Sequence, residues 1–233
     1  MRSYRIQGGH IMQITWLGQG GLLFEKNGKK ILIDPYLSDS VAQKLNPNST
    51  RRQPVDESYL KIIPDVIVIT HNHLDHYDPD TLKHYITENS EICILCPKSV
   101  WGDLRKCDKN NYVQFDAGTE FTECGIRFEA VKAVHSDDYA IGCILDDGEK
   151  KYYVTGDTLY SKEVLNSLPD DIYAVFLPIN GVGNNMNSTD AKRFAKKCGA
   201  KHAVPIHFGM FDSLRPDSFE IIPEIYKKIN FDK

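Results

Sequence analysis

The sequence predicts an α/β protein in which two packed β-sheets carry helices on both outer faces. Three observations predict it. Short apolar runs, many rich in β-branched residues, recur along the chain between Gly, Asn and Pro punctuation. They fall into two successive sets, over roughly residues 12–110 and 120–210, each opening with hairpin spacing and continuing into segments with helical spacing. In both sets, several apolar runs end on a histidine or an aspartate.

The first set opens with Ile14-Thr15-Trp16-Leu17, Leu22-Leu23-Phe24-Glu25 and Lys30-Ile31-Leu32-Ile33, the last closed by Asp34. Gly18-Gln19-Gly20-Gly21 and Asn27-Gly28 separate these runs, as tight hairpin turns require. Residues 37–60 are polar, contain Pro47 and Pro54, and show no period. They read as a long surface loop with a single helical turn, the kind of loop that often binds a ligand. Val66-Ile67-Val68-Ile69-Thr70 is a continuous β-branched run, expected of a strand buried on both faces, and it leads directly into His71. Asp78-Pro79-Asp80, followed by Leu82, Tyr85 and Ile86, has the cap, early proline and apolar spacing of a helix start. Further strands are expected at 92–96, 112–115, 125–134, 140–145, 151–155, 173–179 and 202–206, with helices near 160–167, 188–198 and 216–229. Residues 1–233 are expected to form one domain.

Composition narrows the function. The chain has 233 residues, 41% hydrophobic and 26% charged, which is ordinary for a globular protein. Its net charge of −4 is spread over interspersed residues with no basic stripe, which disfavours nucleic acid as a partner. No segment reaches the roughly 18 apolar residues a membrane span needs, and the opening Met-Arg-Ser-Tyr-Arg lacks a signal-like core, so a soluble cytoplasmic chain is expected. The expected partner is a small-molecule substrate, and nothing opposes a homo-oligomer. The six cysteines form no spaced framework. Cys93 and Cys96 fall inside an apolar strand and read as packing groups. His10, His84 and His202 read as structural.

The chemistry is carried by His71-Asn72-His73-Leu74-Asp75-His76, four ligand-type side chains within six residues, at the turn between a buried strand and a helix. Neutral imidazole and carboxylate are usual ligands for zinc-like cations, and a turn can aim neighbouring side chains at two ions. The spacing suggests one site for His71 and His73 and another for Asp75 and His76. Downstream, His135, Asp157 and His207 each follow an apolar strand, as Asp34 does upstream.

This ordered series resembles the motifs of the metallo-β-lactamase superfamily over nearly the whole chain. The resemblance implies a four-layer αββα sandwich. It implies that His71, His73 and His135 hold one cation, that Asp75, His76 and His207 hold a second, and that Asp157 bridges them. Asp34 would hydrogen-bond a ligand and fix its orientation. The cofactors would be two divalent ions, zinc or manganese, with iron and nickel admitted by the same donors. Redox di-iron members resemble H-x-E-x-D, whereas this chain has His73 at that position, which favours hydrolysis. Within the superfamily, Lys44-Leu45-Asn46-Pro47-Asn48, Asn185-Met186-Asn187-Ser188 and Val204-Pro205-Ile206-His207 are similar to the L-ascorbate 6-phosphate lactonase group.

The expected reaction is attack by cation-activated water on a lactone or related ester of a small metabolite, phosphorylated or not, with Asp75 as the catalytic carboxylate that orients the water and relays a proton. A binuclear phosphodiesterase and a noncatalytic metal-binding module are the competing readings. Arg51 and Arg52 are candidates for an anionic substrate group, against two solvated loop arginines. Asn180 and Asn185, in the Gly-rich stretch 180–185, are candidates for substrate contact, against a plain turn.

Overall fold

A computed structural model of the chain describes residues 11–216 and 218–232. Two six-stranded sheets divide the sequence between them. The first contains β1 (Gln13–Gly18), β2 (Gly21–Lys26), β3 (Lys29–Ile33), β4 (Val66–Val68), β5 (Cys93–Cys96) and β6 (Asn111–Gln114), in that spatial order. The second contains β7 (Glu120–Glu123), β8 (Ile126–Lys132), β9 (Ile141–Asp146), β10 (Lys151–Val154), β11 (Ile172–Pro178) and β12 (His202–Ile206), again side by side in chain order. Each sheet starts antiparallel and turns parallel, at β3–β4 in the first and β10–β11 in the second. Parallel neighbours need a crossover. The crossovers carry α2 (Pro79–Leu82) and α3 (Lys98–Leu104) in the first half, and α4 (Lys162–Ser167) and α5 (Ser188–Lys197) in the second. The short α1 (Ser40–Lys44) lies in the long loop after β3.

The period-two alternation of the strands assigns their faces. Ile31, Ile33, Val66, Val68, Cys93 and Leu95 join the large core that also holds Phe128, Tyr152, Val154, Phe176 and, from α5, Phe194. Their alternates Leu32, Ile67, Ile69 and Ile94 pack with Leu82, Val100 and Leu104 under α2 and α3. Phe24 meets Tyr152 and Phe176 edge-on at 6.0 and 5.7 Å, locking one sheet to the other. Cys93 and Cys96 belong to different clusters, so the pair cannot converge on one ion. Burial pushes both thiols up to about 12.

The expected helix at 216–229 is not formed among the described residues. The segment instead ends beside β1, where Tyr226 N donates to Trp16 O at 2.7 Å and Ile229 N to Ile14 O at 2.8 Å. Pro223 lacks an N–H and disfavours helix at the residue before it, while the edge of β1 offers open carbonyls. Strand β7 and helix α3 were not anticipated. His10 lies outside the described residues, and no described helix is long and apolar enough to cross a membrane.

Candidate metal centre

All the ligand-type residues follow the carboxyl ends of strands. Asp34 follows β3, His71 to His76 follow β4, His135 follows β8, Asp157 follows β10 and His207 follows β12. Strands β8 and β10 both run antiparallel to β9, and β12 runs parallel to β11 and β10, so the second sheet delivers its three residues to one edge. Two of the residues sit in left-handed backbone, Asp34 at φ +43° and His207 at φ +59°, turning the chain sharply at the strand end. Gly156 adopts φ +60° just before Asp157, and a Cβ there would lie 2.5 Å from Ile141 O.

The donor atoms gather into three groups. Those of His71, His73 and His135 lie within 4.8 Å of one another, as do those of Asp75, His76 and His207, and those of Asp34, His71 and His76 form a third group behind them. Asp157 lies between the first two. Its Oδ1 is 3.4 Å from His76 Nε2, and its Oδ2 is 3.3 Å from His207 Nε2 and 4.0 Å from His135 Nε2. Asp75 Oδ2 stands 3.2 Å from His207 Nε2.

Four imidazoles have one nitrogen engaged outward, which leaves the other for the centre. His76 Nδ1 donates to Asp34 Oδ2 at 2.7 Å. Asp34 is held in turn by the N–H and hydroxyl of Thr70, and His71 Nδ1 lies 3.0 Å from that hydroxyl oxygen. His135 Nδ1 faces the Asn184 carbonyl at 3.3 Å, and His73 Nε2 faces Ser136 Oγ at 3.0 Å. On the inner side, Nε2 of both His71 and His76 is buried without a hydrogen-bond partner. A buried polar atom left unpaired costs roughly 1–3 kcal/mol. His73 Nδ1 and His135 Nε2 are only 3.1 Å apart, so their lone pairs repel unless a proton or a cation lies between them. An imidazole and carboxylate donor set with orphaned inward lone pairs fits divalent cations.

Charge follows the same division. Burial holds the His71 imidazole well below its usual range and also lowers His135, so both favour the neutral, ligating form. Burial alone would lower His76 and His207 as well, but Asp157, with Asp34 and Asp75 for His76 and Asp75 for His207, raises both. Burial would raise Asp75, yet His76 and His207 hold its carboxyl far below the carboxylate range, and similar neighbours depress Asp157.

Sequence reasoning missed Gln19, which is buried at the turn between β1 and β2 with φ +46°. Its Nε2 donates to Asp75 Oδ2 at 3.0 Å, and its carbonyl accepts from His207 N and Trp16 Nε1. A lone amide among glycines was the one available signal. Asn185 Nδ2 donates to Asp157 Oδ2 at 2.7 Å, and Asn180 and Asn185 both line the cleft above the centre. Arg51 and Arg52 are not brought to that cleft. Arg51 donates to Tyr36 O at 2.7 Å, Tyr226 Oη at 3.0 Å and Gln53 O at 3.3 Å, so its guanidinium ties the long loop to the chain's last segment. Arg52 is exposed. His84 is exposed on the turn after α2, and His202 packs against Tyr173 and Phe231.

A family model described as the Beta-lactamase superfamily domain matches residues 29–208. The UPF0173 metal-dependent hydrolase of Thermoplasma acidophilum is 29% identical, over 94% of this chain and 98% of its own length. Among solved structures, the isothiocyanate hydrolase from Delia radicum gut bacteria superposes with a TM-score of 0.72 at 21% identity, covering 94% of this chain and 99% of that one. The metallo-β-lactamase fold protein YhfI from Bacillus subtilis superposes at 0.67 and 18% identity, covering 86% and 89%. The α/β sandwich expected from the sequence is therefore the metallo-β-lactamase fold.

Proposed function

The chain belongs to the β-lactamase superfamily domain family, and from that premise we propose that it is a metal-dependent hydrolase that opens a lactone or cleaves a related ester in a small metabolite. One observation carries the reading: two triads of donor atoms share Asp157 between them at the floor of an open cleft. His71, His73 and His135 would hold one divalent cation, and Asp75, His76 and His207 the other. Such a pair supplies Lewis acidity, bringing water ionisation near neutral pH and polarising the oxygen under attack.

The remaining tasks belong to side chains. Asp75 stays ionised beside His76 and His207 and is steadied by Gln19, so it accepts a hydrogen bond from the attacking water. A carboxyl so depressed holds a proton only in passing, which makes orientation its main contribution. Asn185 fixes Asp157 through its Nδ2, and Asn180 lines the cleft beside it. The lactone preference rests on the short motif likeness around residues 44–48, 185–188 and 204–207.

The test is metal analysis of the purified protein joined to a panel of lactones, thioesters and phosphodiesters, before and after chelation. Two bound equivalents of zinc or manganese are expected, with ester or lactone turnover lost on chelation and regained with metal. Turnover indifferent to chelation, or confined to phosphodiesters, would overturn the proposal.

A further inference from the structure

The cleft over the centre has a volume of about 670 Å³ and two unlike parts. Its floor is polar, with His73, Asp75, Asp157 and His207. Lys44 and the amides of Asn72, Asn180 and Asn185 line it as well, and a group of apolar side chains forms the other part: Val41 and Leu45 at α1, Leu74 inside the histidine cluster, Val182 in the loop after β11, and Phe211 after β12. Leu45 is 69% exposed and Val182 66%. Seven large hydrophobic side chains are exposed among the described residues, only Ile11 and Ile63 as open as these two, and Leu45 and Val182 line the same cleft. Scattered exposed leucines need no explanation, but an apolar group gathered beside convergent polar atoms is the usual make-up of a small-molecule site.

Charge points the same way. Lys44 is the one cationic side chain lining the cleft, and its Nζ is 2.5 Å from Asp80 Oδ2. Arg51, the residue best suited to grip a phosphate, is already engaged by Tyr36, Tyr226 and Gln53. An anionic substituent reaching past the centre would meet hydrocarbon and neutral amides, with Lys44 already paired to Asp80.

We infer that the cleft takes the apolar acyl or alkyl arm of an uncharged ester or lactone, packed against Leu45, Leu74, Val182 and Phe211, and that it selects against phosphorylated or carboxylated substrates. The inference rests on the hydrolase reading for the bond that is cut, but not for the fit of the arm. A fully buried methylene strengthens binding by about fourfold, so a partly covered arm several carbons long is worth tenfold or more.

The experiment has a binding arm and a turnover arm. In the first, the zinc-loaded protein is titrated calorimetrically with acetohydroxamate, hexanohydroxamate, octanohydroxamate and an octanohydroxamate bearing a terminal carboxylate. Metal content is checked after each titration. Affinity is expected to rise at least tenfold from the acetyl to the octanoyl compound. The terminal carboxylate is expected to erase that gain, and the exposed-site double variant Leu45→Ser, Val182→Ser to flatten the gradient. Equal affinity at every length, or tighter binding of the carboxylated compound, would overturn the inference. In the second arm the matching esters are assayed. A gradient in binding with no ester turned over sinks the hydrolase reading and leaves the cleft assignment standing. Turnover with flat binding does the reverse.

Discussion

Asp34 shows how a residue that faces no substrate can govern the centre. It is 1% exposed, accepts two hydrogen bonds from Thr70, and orients His76 through Nδ1. Asp34→Asn keeps the shape and tolerates the left-handed backbone, but gives up the carboxylate that makes His76 a better donor. A loss of about 10- to 100-fold in metal affinity is expected, read by competition with a chromophoric chelator. Gly20 acts by absence: a Cβ there would lie 2.6 Å from His76 Cε1. Gly20→Ala should therefore displace the ring, weaken metal binding and also lower the melting temperature of the metal-free protein, since the displaced ring loses its buried bond to Asp34.

Titration gives a second prediction at this scale. With no cation bound, His76 and His207 have pKa values raised above 6.5, so their protonated forms stabilise the metal-free fold. That contribution is complete below the unfolded value and disappears as pH rises through the raised folded value. His71 and His135 are shifted the other way and stay neutral throughout that higher range, while Asp75 and Asp157 titrate far below it. Urea unfolding of the chelated protein should show stability falling as pH rises above about 7. Metal binding must displace those protons, so affinity should strengthen with pH, and calorimetry in two buffers should register proton release.

Elements matter here through their ends. Strands β3, β4, β8, β10 and β12 each end within three residues of a ligand-type residue, and at Asp34, Gly156 and His207 the backbone turns through the left-handed region. Gly156 is the tightest of these turns, with Ile141 O and the Thr70 side chain closing on the place a Cβ would occupy. Gly156→Ala should destabilise the protein by roughly 1–3 kcal/mol from backbone strain alone, measured by denaturant unfolding. Helix α2 holds the other side of the cluster. Its cap, Asp78, is fully buried, and its side chain accepts from Asp80 N. Two elements show the limits of local pattern. The stretch 216–229 has helical spacing, yet its end, Tyr226 to Ile229, pairs with β1, and α3 follows Pro97 without a side-chain cap to announce it.

Over the whole molecule, the centre is a joint between sheets. His71, His73, Asp75 and His76 come from the first, and His135, Asp157 and His207 from the second. Cations held there would tie the two halves together at one edge. Chelation is therefore expected to lower the melting temperature, since ligand at 100 times its Kd stabilises a fold by about 2.7 kcal/mol. Hydrogen exchange should rise most in the segments after β4, β8, β10 and β12. A melting temperature unchanged by chelation would mean that the two sheets hold together without the joint.

What the sequence determined by itself was local in origin. Apolar runs of strand length and a dense ligand cluster after Val66–Thr70 are set by residues near one another, as are His135, Asp157 and His207 at the ends of their own runs. Tertiary structure alone decided the rest. Gln19 donates to Asp75 and takes His207 N on its carbonyl across 56 and 188 residues, and Arg51 adds Tyr226, 175 residues further on, to its nearer partners Tyr36 and Gln53. The same holds for the apolar lining of the cleft, where Leu45 and Val182 belong to different halves of the chain. Pattern reads spacing along a backbone, whereas hydrogen bonds and packing between distant segments depend on how the two sheets meet.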